Sequence, residues 1–158
     1  MKITVISVGK IKEKYLVQGM NEYLKRLSKY TKIEVIEVND EHAPEQLSKK
    51  DIDMIKDIEG KRILKRLKDS FVISLAIEGK QLSSEELADK FVHILNYHDS
   101  HITFIIGGSL GLSDEVKSRS HFLLSFSKMT FPHQLMKLIL LEQIYRSFRI
   151  NHHEPYHK

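Results

Sequence analysis

The chain has 158 residues, of which 41% are apolar and 29% charged, with a formal net charge of +4 and no cysteine. That length and apolar share support one domain over residues 1–158 with a real core, and the missing cysteine excludes disulfides, a thiolate nucleophile and an iron–sulfur cluster. No apolar run is long enough for a membrane span or a signal-peptide core, no linker or internal repeat divides the chain, and the cytoplasm is the expected compartment.

Taken in chain order, the first apolar run, Ile3 to Val8, reads as a buried strand. Leu16, Met20, Tyr23, Leu24 and Leu27 then fall on one face of a helix. Ile33 to Val38 is a second strand; Ile52, Ile55, Ile63, Leu64 and Leu67 predict a helix after Pro44 in spite of Gly60. Phe71 to Ile77 is the third strand. Ser83-Ser84-Glu85-Glu86 is a capping box that opens a helix whose buried face is expected to be Leu87, Phe91, Ile94 and Leu95. Ile102 to Ile106 and Phe122 to Phe126 complete five strands, and the alternation implies an α/β fold: a mostly parallel sheet with helices on both faces.

The last helix, roughly His133 to Arg149, is different. Between Leu135 and Leu141 only Lys137 is not apolar, so one stripe packed on a sheet would not satisfy it. The expected cover is the same surface on a second copy, giving a homodimer through the C-terminal helix.

Two segments point to chemistry. Phe104-Ile105-Ile106 runs into Gly107-Gly108-Ser109-Leu110-Gly111, a glycine turn at a strand end, where open α/β sheets bind ligands. It lacks both the G-x-G-x-x-G spacing and a following G-K-[ST], which argues against a phosphate cradle. Such a turn either admits positive φ and close packing or lets backbone approach a ligand. The second segment, Leu124 to His133, carries Phe126, Met129 and Phe131 in a loop, which suits a pocket for a flat heterocycle or simple packing on another loop. Basic residues concentrate afterwards: from Lys128 on, Lys137, Arg146, Arg149 and Lys158 face only Glu142 and Glu154. Either a phosphate-bearing partner settles there, with Lys128, His133, Arg146 and Arg149 as the candidate RNA contacts, or the segment is a solvated basic tail.

The series SLAIEGK at Ser74 to Lys80, FIIGGSLGLS from Phe104, LSFSKMTFPHQLM from Leu124, EQIYRSFRI from Glu142 and the terminal Tyr156-His157-Lys158 resembles the SPOUT methyltransferases. The likeness is greatest to the ribosomal RNA large subunit methyltransferase H family and runs from the first residue to the tail. It implies a C-terminal trefoil knot and S-adenosylmethionine held by three loops: Leu75 with its neighbours, Gly107 and Gly108, and Phe126, Ser127, Lys128, Met129, Thr130 and Phe131. It also implies methylation at N3 of a pseudouridine in 23S ribosomal RNA on the assembled ribosome. One position departs from the family pattern: Ala76 stands where relatives commonly carry an acidic residue, and Glu78 is the nearest carboxylate.

A sulfonium donor needs no metal and no covalent nucleophile, in keeping with the absence of metal-ligand spacing such as H-E-x-x-H. An imide nitrogen must lose its proton before it attacks, so a base or a stabilising cation is required. Tyr156 and His157, supported by Arg146, are the catalytic candidates, with His133 able to orient the cofactor or its loop. A non-catalytic ribosome-binding factor and a flavodoxin-like nucleotide binder are the rival functions. A metal cluster of His152, His153 and His157 with Glu154 is a further alternative for the tail.

Overall fold

Ten elements alternate in the computed structural model, which describes residues 1–158: β1 (Lys2–Val8), α1 (Lys14–Leu27), β2 (Lys32–Val38), α2 (Lys49–Arg66), β3 (Phe71–Gln81), α3 (Ser84–Tyr97), β4 (His101–Ile106), α4 (Asp114–Ser118), β5 (Phe122–Ser125) and α5 (His133–Asn151). The strands form one sheet in the order β2-β1-β4-β3-β5, and every pairing is parallel. A parallel sheet must be covered on both faces, and the side-chain alternation does this directly. Ile3 and Val5, Ile102 and Phe104, and Ile73 join residues of α1, α3 and α5 in one core. Ile6, Val8, Ile105 and Val72 point the other way, onto Ile63 of α2 and Val116 of α4. No helix is long and apolar enough to cross a membrane.

The helix starts follow local chemistry. At α3 the expected capping box is present: Ser83 Oγ accepts from Glu86 N–H at 3.0 Å, and Glu86 Oε2 accepts from Ser83 N–H at 2.7 Å. Its buried face is Leu87, Ala88, Phe91 and Ile94, whereas Leu95 is exposed, one step off the stripe. A second capping box, Ser48 with Asp51, opens α2. Gly60 lies where α2 crosses α4, because a Cβ there would come within 2.4 Å of Ser113 Oγ. The short helix α4 has no apolar repeat that sequence periodicity could detect, but Ser113 caps it by accepting from Val116 N–H at 3.3 Å.

Helix α5 is covered in large part by its own chain, which accounts for much of the apolar surface expected to need a partner. It lies against both α1 and α3, and no residue from His133 to Asn151 is exposed. Leu140, Leu141, Ile144, Tyr145 and Phe148 enter the main core. Even Lys137 is buried, its ammonium 2.8 Å from Glu37 Oε2. Leu135, Leu138 and Ile139 remain half-buried, so only part of the helix has surface left to offer. Pro132 takes the cap position just before the helix, and its carbonyl accepts from Met136 N–H.

Candidate active site

Three chain segments, one inside β3 and two leaving the carboxyl ends of its neighbours β4 and β5, surround a cavity of about 650 Å³, within the size range of small-molecule sites. The first is a break inside β3. Leu75 and Lys80 both pair with Leu124 of β5, so the four residues between them bulge out of the sheet and carry Ala76, Ile77 and Glu78 to the cavity wall. Gly79 closes the bulge tightly against β5; a Cβ there would lie 2.6 Å from the Leu123 carbonyl oxygen.

The second segment is the glycine turn, whose residues Gly107 to Leu112 line the cavity. Gly111 N–H donates to Gly108 O at 3.0 Å, and Gly111 has φ +89°, a conformation L side chains rarely adopt. Gly107 and Gly108 are small for a reason other than ligand approach. A Cβ at Gly107 would stand 2.9 Å from the Gly111 carbonyl carbon, and one at Gly108 would stand 3.0 Å from Glu59 Oε1. Their missing side chains face protein, and their backbone faces the cavity. Glu59 itself is 4% exposed; burial pushes its carboxyl above the ordinary range, while the Glu41 N–H bonded to Oε2 opposes that shift.

The third segment, Phe126 to Pro132, joins β5 to α5. Ser125 Oγ donates to Ser127 O, and Ser127 Oγ accepts from Met129 N–H at 3.0 Å, fixing a turn that leaves Met129 73% exposed and Phe131 36% exposed. Together with Leu75, Ile77, Leu110, Leu112, Leu124, Phe126 and Met136 they make a largely apolar enclosure bordered by backbone groups. Of the expected cofactor residues, Leu75, Gly107, Gly108, Phe126, Ser127, Met129, Thr130 and Phe131 line it, and Lys128 does not. Lys128 is exposed.

The charged lining is sparse: Glu78 and His133, both singled out in the sequence, and Lys56 and Lys117, which were not. Lys117 Nζ sits 2.6 Å from Glu78 Oε1 and, through that bond, holds the carboxyl below its ordinary range. Burial lowers the His133 pKa, Lys137 lowers it further and Asp40 opposes them, so the imidazole in the wall is biased toward its neutral form.

The C-terminal candidates are not in this cavity. Arg146 is thirteen residues beyond His133 on the same helix, about 20 Å along its axis. Its Nε and Nη2 donate to Glu142 Oε1 at 3.0 and 2.6 Å, and Tyr156 Oη donates to the same oxygen at 3.0 Å. The Arg146 guanidinium also lies 4.6 Å from the Tyr156 ring centroid. Burial, followed by bonds to Tyr23 and Glu142, drives the Tyr156 phenol far above its ordinary range, which makes it a donor and not a base. His157 lies between Glu85 Oε1 at 2.7 Å and Arg146 Nη1 at 3.1 Å. Arg149 is bonded to Glu154, Tyr30 and the Pro155 carbonyl. His152 Nδ1 contacts the Phe148 carbonyl at 2.8 Å while Glu154 faces Arg149, so these side chains are dispersed among separate partners.

An all-parallel α/β sheet with a ligand-sized pocket built from three strand-end loops defines the class, and the family model described as "Predicted SPOUT methyltransferase" matches residues 1–157: the chain belongs to the SPOUT methyltransferases, in the ribosomal RNA large subunit methyltransferase H family. It is 62% identical over 100% of both chains to "Ribosomal RNA large subunit methyltransferase H" of Clostridioides difficile (strain 630). The protein of that name from Bacillus thuringiensis subsp. konkukian (strain 97-27) is equally similar, at 62% over 100% of both chains. The fold is shared with a tRNA (m1G37) methyltransferase from Aquifex aeolicus at a TM-score of 0.52 and 16% identity, over 92% of this chain and 70% of that one.

Proposed function

We propose that this protein is a one-domain, S-adenosylmethionine-dependent methyltransferase that methylates N3 of a pseudouridine in 23S ribosomal RNA on the assembled ribosome, and that it works as a homodimer. The observation carrying this reading is the convergence of Leu75, the glycine turn and Phe126 to Phe131 on one largely apolar cavity. The name of the relatives that match over their full length supports ribosomal RNA as the substrate.

The lining fits an adenosyl group. Apolar side chains from Leu75, Leu112, Phe126 and Met136 supply surfaces for a flat ring, and the turn backbone supplies donors and acceptors for its edge. Exposed Met129 and Phe131 gain burial when the space beside them fills. The bound donor contributes a sulfonium methyl carbon already activated for attack. The protein's part is to exclude water, hold the reacting groups in line and accept a proton. His133 is suited to the last task because its neutral imidazole borders the cavity.

Arg146 lies about 20 Å along α5 from His133, and Tyr156 and His157, folded back onto Glu142, Glu85 and Arg146, line no part of their own chain's cavity. In the homodimer they act on the acceptor held by the partner, with Tyr156 as a hydrogen-bond donor and Arg146 stabilising the deprotonated imide. Half-buried Leu135, Leu138 and Ile139 on α5 support that helix as the dimer contact. The trefoil knot belongs to the same reading, supported by the match to the SPOUT family model. The test is incubation of unmodified ribosomes with labelled S-adenosylmethionine and mapping of the labelled base. Label at N3 of a single pseudouridine is expected; donor binding without transfer to ribosomal RNA overturns the assignment.

A further inference from the structure

Around the cavity, Lys56 of α2, Glu78 of the β3 bulge and Lys117 of α4 form a charged patch on otherwise mostly apolar and backbone walls. Glu78 and Lys117 are paired at 2.6 Å. Lys56 takes part in none of the eight ion pairs of the chain, yet its charge acts on Glu78. Two ammonium groups thus face one carboxylate, and the patch carries net positive charge. An ammonium without a carboxylate partner at the border of a low-dielectric cavity favours an anionic ligand group. A carboxylate that already accepts one bond retains lone pairs for another cation.

A group with one carboxylate and one ammonium on the same carbon matches both. We propose that Lys56 and the Glu78–Lys117 pair form the subsite for the zwitterionic amino-acid end of the methyl donor, with the ligand carboxylate on Lys56 and its α-ammonium beside Glu78. This rests on the methyl-donor reading above. It also gives Glu78, two residues beyond Ala76, a binding role of its own at the bulge. The ion pair with Lys117 ties that bulge to α4, which places the carboxylate before the ligand arrives.

The experiment is calorimetric titration of the full chain with S-adenosylmethionine and with its decarboxylated form, which keeps the sulfonium and the amine. The wild-type chain is expected to prefer the complete donor by about tenfold, and Lys56→Met to remove most of that preference while leaving the decarboxylated ligand within about twofold. Retained binding of that second ligand also shows that the variant is folded. Glu78→Gln is expected to weaken both amine-bearing ligands but not 5′-methylthioadenosine, which lacks the whole amino-acid end. Equal weakening of both donors by Lys56→Met, or no change in either, overturns the subsite. So does a Lys56→Met variant that loses only RNA affinity, which would assign this ammonium to a phosphate. A wild-type chain that binds neither donor overturns the methyl-donor reading, and the subsite with it.

Discussion

Lys137 Nζ lies 2.8 Å from Glu37 Oε2, joining the second turn of α5 to the end of β2 with a lysine side chain that is only 1% exposed. The same Glu37 oxygen accepts from Ile11 N–H at 3.0 Å, so one carboxylate anchors the loop after β1 as well. Gln134 Nε2 donates to the Lys10 carbonyl, adding a second tie between that loop and the helix start that carries His133.

This pair sets the first prediction. Burial raises the Glu37 pKa, but the bonds from Lys137 and Ile11 outweigh it and leave the carboxyl below its ordinary range. Its stabilisation is therefore present above the unfolded-state pKa and is lost as pH falls through the lower folded value. Glu37→Gln should destabilise the protein by about 2–4 kcal/mol near neutral pH, because it strands a buried ammonium. The double variant Glu37→Gln, Lys137→Met should recover much of that loss. Denaturant melts at several pH values check both expectations, and the gap between wild type and Glu37→Gln should narrow in acid.

Gly79 provides a test of the bulge. A Cβ at this position meets backbone at 2.6 Å, which cannot yield as a flexible side chain would. Gly79→Ala should cost about 1–3 kcal/mol of stability and weaken donor binding, because the displaced bulge carries Ile77 and Glu78 into the cavity wall. Gly111→Ala, in open space but at φ +89°, should cost about 1 kcal/mol through backbone strain alone. Thermal melts paired with donor titrations separate the two cases.

His133 should dominate the acidic limb of the rate profile. Its folded pKa is lowered, mainly by burial and then by Lys137, so the proton-accepting form persists to a pH below the ordinary histidine value. Single-turnover methylation should fall only once pH drops beneath that value. His133→Gln should remove the limb and slow methyl transfer by about a hundredfold or more, with donor affinity nearly unchanged. A parallel loss of donor affinity would mean that the imidazole shapes the pocket instead.

The tail gives a separable outcome. Deletion of Tyr156 to Lys158 removes groups bonded to Glu142, Glu85 and Arg146, none of which lines the cavity. Methylation of ribosomes should vanish while S-adenosylmethionine still binds. Tyr156→Phe loses one hydrogen bond to Glu142 and should cost about 1 kcal/mol of stability. Mixing the truncated chain with a His133→Gln chain should restore some activity if the tail of one copy serves the cavity of the other.

Local pattern alone determined much of this protein. Five apolar runs became five parallel strands, and Ser83 with Glu86 marked a helix start, because side-chain alternation and capping are decided within a few residues. The family motifs also singled out Leu75, the glycine turn and Phe126 to Phe131, which, Lys128 apart, border one cavity. Only the tertiary structure decided what stands beside them. Lys56, Glu78 and Lys117 come from three elements distant in sequence, and their meeting depends on how α2 and α4 pack over the sheet. The buried Lys137 looked like a break in an apolar surface until β2 supplied Glu37, one hundred residues away. Tyr156 and His157, close in sequence to the cofactor loop, end far from it because α5 is a rigid rod and its length separates the two ends. Sequence spacing specifies direction along an element, whereas proximity between elements follows from packing that no short window contains.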